Sequence, residues 1–256
     1  MEPTNTEKYQ KLQKEHAILE QQNKLNNKLL YMIGHDLRSP LGSIKMTLDL
    51  IDQRILDPKS EDFSAMLPEL SDAADDAFYL LENLLYWTRI QTNRVSYRPE
   101  NYPLKQLMDK AVTNMKRSFL KKEINLNNQL DWNGKVYGDD YLLMVIFRNI
   151  LSNACKFSRK GTGVTLRVAD SPEGTVCICI SDQGQGISQE NMEKVYDPNQ
   201  LFTTYGTGNE NGNGLGLKIC ESLVKINQGK MHIESREGEG TTVSLTLPDE
   251  NRQQIN

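Results

Sequence analysis

The strongest constraint on what this chain can fold into is a pair of apolar rows near its start. Leu30, Leu37, Ile44 and Ile51 recur every seven residues, and Leu41, Leu48 and Ile55 form a second row with the same repeat. From Leu37 to Ile55 the two rows together step by four and three, the signature of a helix with one continuous apolar stripe. Asp57-Pro58-Lys59-Ser60 breaks that helix. Phe63, Leu67, Leu70, Ala74, Ala77, Leu81, Leu84 and Thr88 then repeat the alternation, with Pro68 in the early turns as the place for a kink. Two long helices around a short turn predict an antiparallel hairpin. A lone hairpin with a strong stripe on each helix leaves much of it uncovered. Pairing two hairpins into a four-helix bundle covers both stripes, so a homodimer is expected.

Upstream, residues 7–30 are polar. Ile18, Leu25 and Met32 lie seven apart with Leu29 between the last two, a thin coiled-coil seam. The 256 residues suggest one or two domains. A net charge of −4 leaves no electrostatic footprint for nucleic acid, and pairs such as Lys121-Lys122 are too short to make a basic patch. No run approaches the ~18 apolar residues of a membrane span, and the first thirty residues hold no apolar core of a signal peptide. Cys155, Cys177, Cys179 and Cys220 lack zinc-type spacing and are expected to be reduced thiols of a cytosolic protein. Cys177 and Cys179 should share one face of a strand.

Near Val95 the helical periodicity ends, and we place a domain boundary there. Arg98 to Pro103 reads as linker or first strand. Beyond it, residues 104–119 and 139–157 read as helices, and 124–130 as a strand. Residues 164–169 and 175–181 read as paired strands around Pro172-Glu173-Gly174. A helix over 214–227 and a final hairpin of 230–235 with 241–247 complete the pattern. Helices and hairpins in mixed order suggest an α+β sandwich.

Within the first helix, Gly34-His35-Asp36-Leu37-Arg38-Ser39-Pro40-Leu41 sets a histidine beside a carboxylate. His35 is one residue past the stripe position Gly34, so its imidazole is expected on the outer flank, open to a ligand. A neutral imidazole is a good nucleophile near neutral pH, and Asp36 is placed to take the proton of the other ring nitrogen. Neighbouring helical residues do not normally face each other, so the contact needs both side chains to swing over the surface. Pro40 removes a backbone donor and should loosen the turn around His35.

The second half holds the phosphate-handling signals. Asn149 and Asn153 are four apart on one helix face, with Lys156 three further on. Amide oxygens suit Mg²⁺ and the ammonium suits phosphate. Asp182 ends an apolar strand, and Gly184 and Gly186 then let backbone approach a planar ligand closely. A carboxylate there can accept from an adenine amino group. The stretch 199–213 is polar, glycine-rich and long, as functional lids are. Gly212-Asn213-Gly214-Leu215-Gly216-Leu217 opens a helix, where glycine amides form an anion site. It is neither a Walker loop nor a Rossmann turn.

In this order the motifs resemble the H, N, G1 and G2 boxes of bacterial sensor histidine kinases, over residues from about 28 to 248. The resemblance implies a helical leader (1–27) that carries a signal from a sensor, with a solvated leader as the alternative. It implies a dimerisation and phosphotransfer domain (28–95), an ATP-binding domain of the gyrase, Hsp90 and histidine kinase type (96–250) and a short tail (251–256). It makes His35 the phosphoacceptor and Asp36 the general base. Ser39 stands where the family uses Thr or Asn to position water for dephosphorylating a partner, and keeps the hydroxyl without the methyl. The implied ligands are ATP and Mg²⁺, the metal on Asn153 with support from Asn149. Lys156, Gly212, Gly214, Leu215, Gly216 and Leu217 lie towards the phosphates. Asp182, Gly184, Gly186, Ile187 and Thr241 lie around the adenine. Leu201-Phe202 resembles the docking F box, and Tyr205 stands where related lids carry Lys. The implied activity is ATP-dependent autophosphorylation followed by transfer to an aspartate of a response regulator. The resemblance also suggests the cytoplasmic portion of a membrane-anchored sensor. A dimeric scaffold with a non-catalytic nucleotide switch is one rival reading. An ATPase related to gyrase, Hsp90 or MutL is the other, weakened by the absence of a Glu from the Asn149–Asn153 helix.

Overall fold

A computed structural model describes residues 5–197, 200–208, 210, 212 and 214–252. Asn199 and Asn213 of the polar stretch, the first four residues of the leader and the last four of the tail lie outside the described residues, as do the side chains of Ile18 and Leu25. By compactness the chain divides in two: residues up to Leu85 with Asp197–Leu201, and Tyr86–Tyr196 with the rest from Phe202 on.

The first unit is built on α1 (Asn5–Asp52) and α2 (Glu61–Gln91). The α1 end is closed by the amides of Ile55 and Leu56, which fold back on the Leu50 carbonyl at 2.9 and 3.0 Å, with Arg54 in the left-handed region (φ 58). Ser60 caps α2 by accepting from the Phe63 amide at 3.1 Å, and Glu61 and Asp62 put negative charge on its first turn. Both prolines, Pro40 and Pro68, lie inside unbroken helices.

The apolar stripes divide in a way their periodicity did not reveal. On α1, Leu37, Ile44 and Ile51 are half-buried, whereas Leu41, Leu48 and Ile55 are 52%, 55% and 68% exposed. On α2, Phe63, Leu70, Ala77 and Leu84 are half-buried, whereas Leu67, Ala74, Leu81 and Thr88 are exposed. A single neighbouring helix covers only one flank of such a stripe, so every second member of the four–three alternation stays on the outside.

The second unit carries a five-stranded sheet in the order β2-β4-β5-β7-β6, formed by Asn125–Gln129, Gly163–Ala169, Thr175–Asp182, Gly240–Pro248 and Lys230–Arg236. β2 runs parallel to β4, and the other pairs are antiparallel. A short pair, β1 (Glu100–Pro103) with β3 (Lys135–Gly138), stands apart. One sheet face is apolar, with Val164, Leu166, Val176, Ile178, Ile180, Val243, Leu245 and Leu247 buried. The other carries alternating Thr, Ser, Cys and charged residues, as expected of an antiparallel sheet with one solvated side. Helices α3 (Leu104–Lys121), α4 (Asp140–Phe157) and α6 (Gly216–Ile226) form the covering layer, α4 packing against α3, α6 and β5. Asp139 caps α4 through the Leu142 amide (3.1 Å), and its own amide donates to the buried Asn227 at the end of α6 (2.9 Å).

Two elements were not foreseen in the sequence, and one helix boundary needed correction. β3 is too short for its alternation to be read. α5 (Gln189–Tyr196) buries no residue and so leaves no apolar stripe in the sequence. α6 starts at Gly216 and not at Gly214, because Gly214 adopts φ 67, outside the helical region. The four cysteines are free, with Cys155, Cys179 and Cys220 buried, and the Cys177 and Cys179 sulfurs lie 4.0 Å apart on one strand face.

Candidate functional site

His35 stands on the exposed side of α1, its side chain 63% accessible beside an Asp36 side chain at 16%. The swing over the surface does occur: Nδ1 of His35 lies 3.3 Å from Oδ1 of Asp36. A ring that donates to this carboxylate carries its proton on Nδ1, which leaves the lone pair on Nε2. Pro40 has no N–H for the Asp36 carbonyl four residues back, which locally frees the backbone that carries this pair. Ser39, one turn beyond His35 on the same face, is exposed, and its carbonyl accepts from Ser43 Oγ at 3.3 Å.

In the second unit a cleft opens between the apolar sheet face and α4. Seven of the residues singled out in the sequence line it: Asn153, Asp182, Gly186, Ile187, Phe202, Leu217 and Thr241.

Its inner end is a hydrogen-bonded row set by strand register, in which Asp182 faces Thr241 and Thr241 faces Ser235. Oδ1 of Asp182 accepts from the amides of Gly184 (2.9 Å) and Thr241 (3.2 Å). Both of these bonds fall on the same oxygen, which leaves Oδ2 for a ligand's donor. Burial raises this carboxyl to about 6 despite the two amides, which pull it down. Ser235 gives its proton to the Gly240 carbonyl (2.9 Å) and accepts from the Ile187 amide (2.8 Å). Thr241, 2.8 Å away, must therefore donate to Ser235, and its oxygen remains an acceptor for a ligand.

The glycines here are spatial requirements. A Cβ on Gly186 (φ 65) would collide with the Arg236 carbonyl, and one on Gly184 with the Phe157 carbonyl. A Cβ on Gly240 (φ 118) would strike the Asp182 carbonyl.

Gly184, Lys156, Gly212, Gly214, Leu215 and Gly216 sit behind or beside this lining. A side chain on Gly212 would run into Lys156 Nζ, so the ammonium lies against the glycine stretch before α6. Leu215 is fully buried at the start of α6. Asn149 does not reach the cleft. It is wholly buried, and its amide donates to the Val145 carbonyl of its own helix at 2.8 Å. Sharing a face with Asn153 was not enough, because α4 is packed on several sides. Phe157, Ile233 and Val243 also line the cleft. The period-two pattern of the last hairpin could have shown the last two, since they share a face with Thr241. Leu201 is buried at 8% exposure.

Comparison with known proteins agrees with both halves. Residues 25–93 match the model of the His Kinase A (phospho-acceptor) domain, and residues 138–251 that of the histidine kinase-, DNA gyrase B- and HSP90-like ATPase. The non-motile and phage-resistance protein of Caulobacter vibrioides is 25% identical over 242 residues, covering 93% of this chain and 29% of that protein. The sensor histidine kinase RcsC of Escherichia coli K12 is 27% identical over 242 residues, covering 93% of this chain and 25% of that protein. The chain thus spans between a quarter and a third of the length of these relatives. Among solved structures, the Acinetobacter baumannii histidine kinase AdeS shares the fold at a TM-score of 0.61 with 16% identity, over 85% of this chain and 98% of its own. A phospho-acceptor domain followed by this type of ATPase domain, in an alignment running through both, places the chain in the family of bacterial sensor histidine kinases.

Proposed function

We propose that this chain is the catalytic portion of a sensor kinase that phosphorylates itself on His35 and passes the phosphoryl group to an aspartate of a response regulator. The observation that carries the reading is the His35–Asp36 pair, whose geometry leaves Nε2 of an exposed ring as the nucleophile. Nε2 attacks the γ-phosphorus of ATP, the N–P bond forms as the bond to the β,γ-bridging oxygen breaks, and ADP leaves. The imidazolium that would result is relieved by Asp36, which takes the Nδ1 proton. Positioning and charge neutralisation supply most of the acceleration in such transfers.

Asp182 Oδ2 accepts from the adenine amino group, Thr241 offers its oxygen to the ring edge, and Gly186 and Ile187 form the floor. Gly184 holds Asp182 in place, and Asn149 supports α4 from within. Lys156, Gly212, Gly214, Leu215, Gly216 and Leu217 are assigned to the phosphate end. Among the described residues no three His, Cys, Asp or Glu side chains converge as a metal cage. Asn153 lines the cleft, and its amide oxygen is assigned as a donor to Mg²⁺, an ion that takes few protein ligands beside nucleotide phosphates. Bound there, Mg²⁺ would neutralise charge on the transferring group.

The exposed rows Leu41–Leu48–Ile55 and Leu67–Ala74–Leu81 support a homodimer through a four-helix bundle. Residues 28–95 serve as the dimerisation and phosphotransfer domain and 96–250 as the ATP-binding domain. The 1–27 leader brings a signal from a sensor, and the work is done in the cytoplasm, where ATP is supplied. Ser39 is assigned to positioning water for dephosphorylation of the partner.

Incubation with γ-labelled ATP and Mg²⁺ tests the central step. Acid-labile, base-stable label on the wild type, absent from His35→Gln, is expected. Equal labelling of the two proteins, or none on a wild type that binds ATP, would overturn it.

A further inference from the structure

One cluster beside the cleft has no part in the scheme above. Lys122, at the C-terminal cap of α3, has a side chain only 16% exposed. Its ammonium donates to the Lys156 carbonyl (2.5 Å) and to Oε1 of Glu210 (2.7 Å). Glu210 in turn organises the glycine-rich segment around it. Its Oε2 accepts from the Gly208 amide (2.7 Å), and its carbonyl accepts from the Gly206 amide (2.9 Å). Thr207 completes the attachment, its amide on the Lys156 carbonyl (3.2 Å) and its hydroxyl on the Ser158 carbonyl. Further along, Thr203 Oγ1 donates to the Gly212 carbonyl (2.6 Å).

The geometry points to Lys122 and Glu210 as positioning residues for the nucleotide: together they clasp Gly206, Thr207 and Gly208 onto the last turn of α4 and so fix Lys156 at the phosphate end. The chemistry is specific to these atoms. The last carbonyls of a helix lack intrahelical partners and carry the negative end of its dipole, so a cation bound there is favoured. The Lys156 carbonyl is held by Lys122 and Thr207, while the side chain of the same residue lies against Gly212. One residue thereby joins the clasp to the glycine stretch that precedes α6. Burial pushes the Glu210 carboxyl up, but the Lys122 bond and the amide donors outweigh it and hold the carboxyl below its ordinary range. Glu210 therefore stays ionised near neutral pH. Lys122 is the more buried half of the pair, 16% exposed against 39% for Glu210. The inference rests on the kinase reading only for the identity of the ligand.

The test uses the full chain as wild type, Glu210→Gln, Lys122→Met and the double variant that carries both. Titration with Mg·ATP is expected to give about five- to thirty-fold weaker binding for each single variant. The losses in the double variant should fall well short of the sum of the two singles, because both remove one shared interaction. In the nucleotide-free protein, the amides of Gly206, Thr207 and Gly208 should gain more in hydrogen-exchange rate in Glu210→Gln than the amides of the sheet do. Unchanged ATP affinity in the single variants would overturn the positioning role. So would fully additive losses in the double variant, since that rules out a shared interaction. A gain at these amides no larger than in the sheet would overturn the clasp itself. A wild type that binds no ATP would overturn the kinase reading, while the exchange measurement would still decide on the clasp.

Discussion

Replacing Asp182 with Asn should stabilise the protein while damaging its nucleotide site. The carboxyl is raised from 3.8 to about 6 by burial, and only Oδ1 is supported by amides. A difference of that size corresponds to ~3 kcal/mol between the two protonation states. The sign follows from linkage. The unfolded chain loses this proton near pH 4 and the folded chain near pH 6, so folding stability falls as pH rises through that window and stays low above it. Asn cannot ionise, and its oxygen can still accept from Gly184 and Thr241. Some of the gain is offset by burying the new NH₂ group, which leaves an expected stabilisation of ~1–3 kcal/mol at pH 7.5. In a domain of this size that is roughly 2–4 °C of melting temperature per kcal/mol. The difference should shrink as pH falls from about 6 to about 4. The same NH₂ group then meets the adenine amino group donor to donor, so ATP should bind about ten- to a hundredfold more weakly. Thermal melts across pH together with an ATP titration measure both effects. A variant less stable than wild type at pH 7.5, or a difference that ignores pH, would refute the burial argument. Wild-type affinity for ATP would refute the adenine assignment.

ATP affinity of the wild type should itself fall as pH drops below about 6, because a protonated Asp182 is a poorer acceptor, and calorimetric titration at pH 5 and 7.5 checks this. Gly186→Ala would place a methyl group on the Arg236 carbonyl at a φ of 65, so a loss of about 2–4 kcal/mol and of ATP binding is expected in melting and binding assays. Leu48→Asp with Leu81→Asp, on side chains 55% and 44% exposed, should yield a folded monomer by sedimentation, and a persistent dimer would locate the interface elsewhere. Asn83, buried with neither side-chain amide atom hydrogen-bonded, should be stabilised by about 1–2 kcal/mol on replacement with Leu, as read by thermal melting.

Much of this molecule is local in origin and was therefore legible in the chain. Four–three spacing and the Asp57–Ser60 break specify two helices because side-chain periodicity is a property of a single helix. Alternation likewise marks β4, β5 and the β6–β7 hairpin. The His35–Asp36 neighbours and the glycine motifs carry enough chemistry to indicate phosphoryl transfer, given their resemblance to known boxes. Other features depend on what lies across space. Which apolar row faces inward is decided by the neighbouring helix, so Leu41 and Leu48 are exposed while Leu37 and Ile44 are half-buried. Asn149 turned into its own helix because α4 is enclosed by its neighbours, which spacing cannot express. The row Asp182–Thr241–Ser235 exists only through strand register, and that register alone brings a carboxylate to an amide 59 positions away. Lys122 and Glu210, 88 positions apart, carry no mutual signal in the sequence, because a salt bridge between distant segments is set by where the backbone has already placed them.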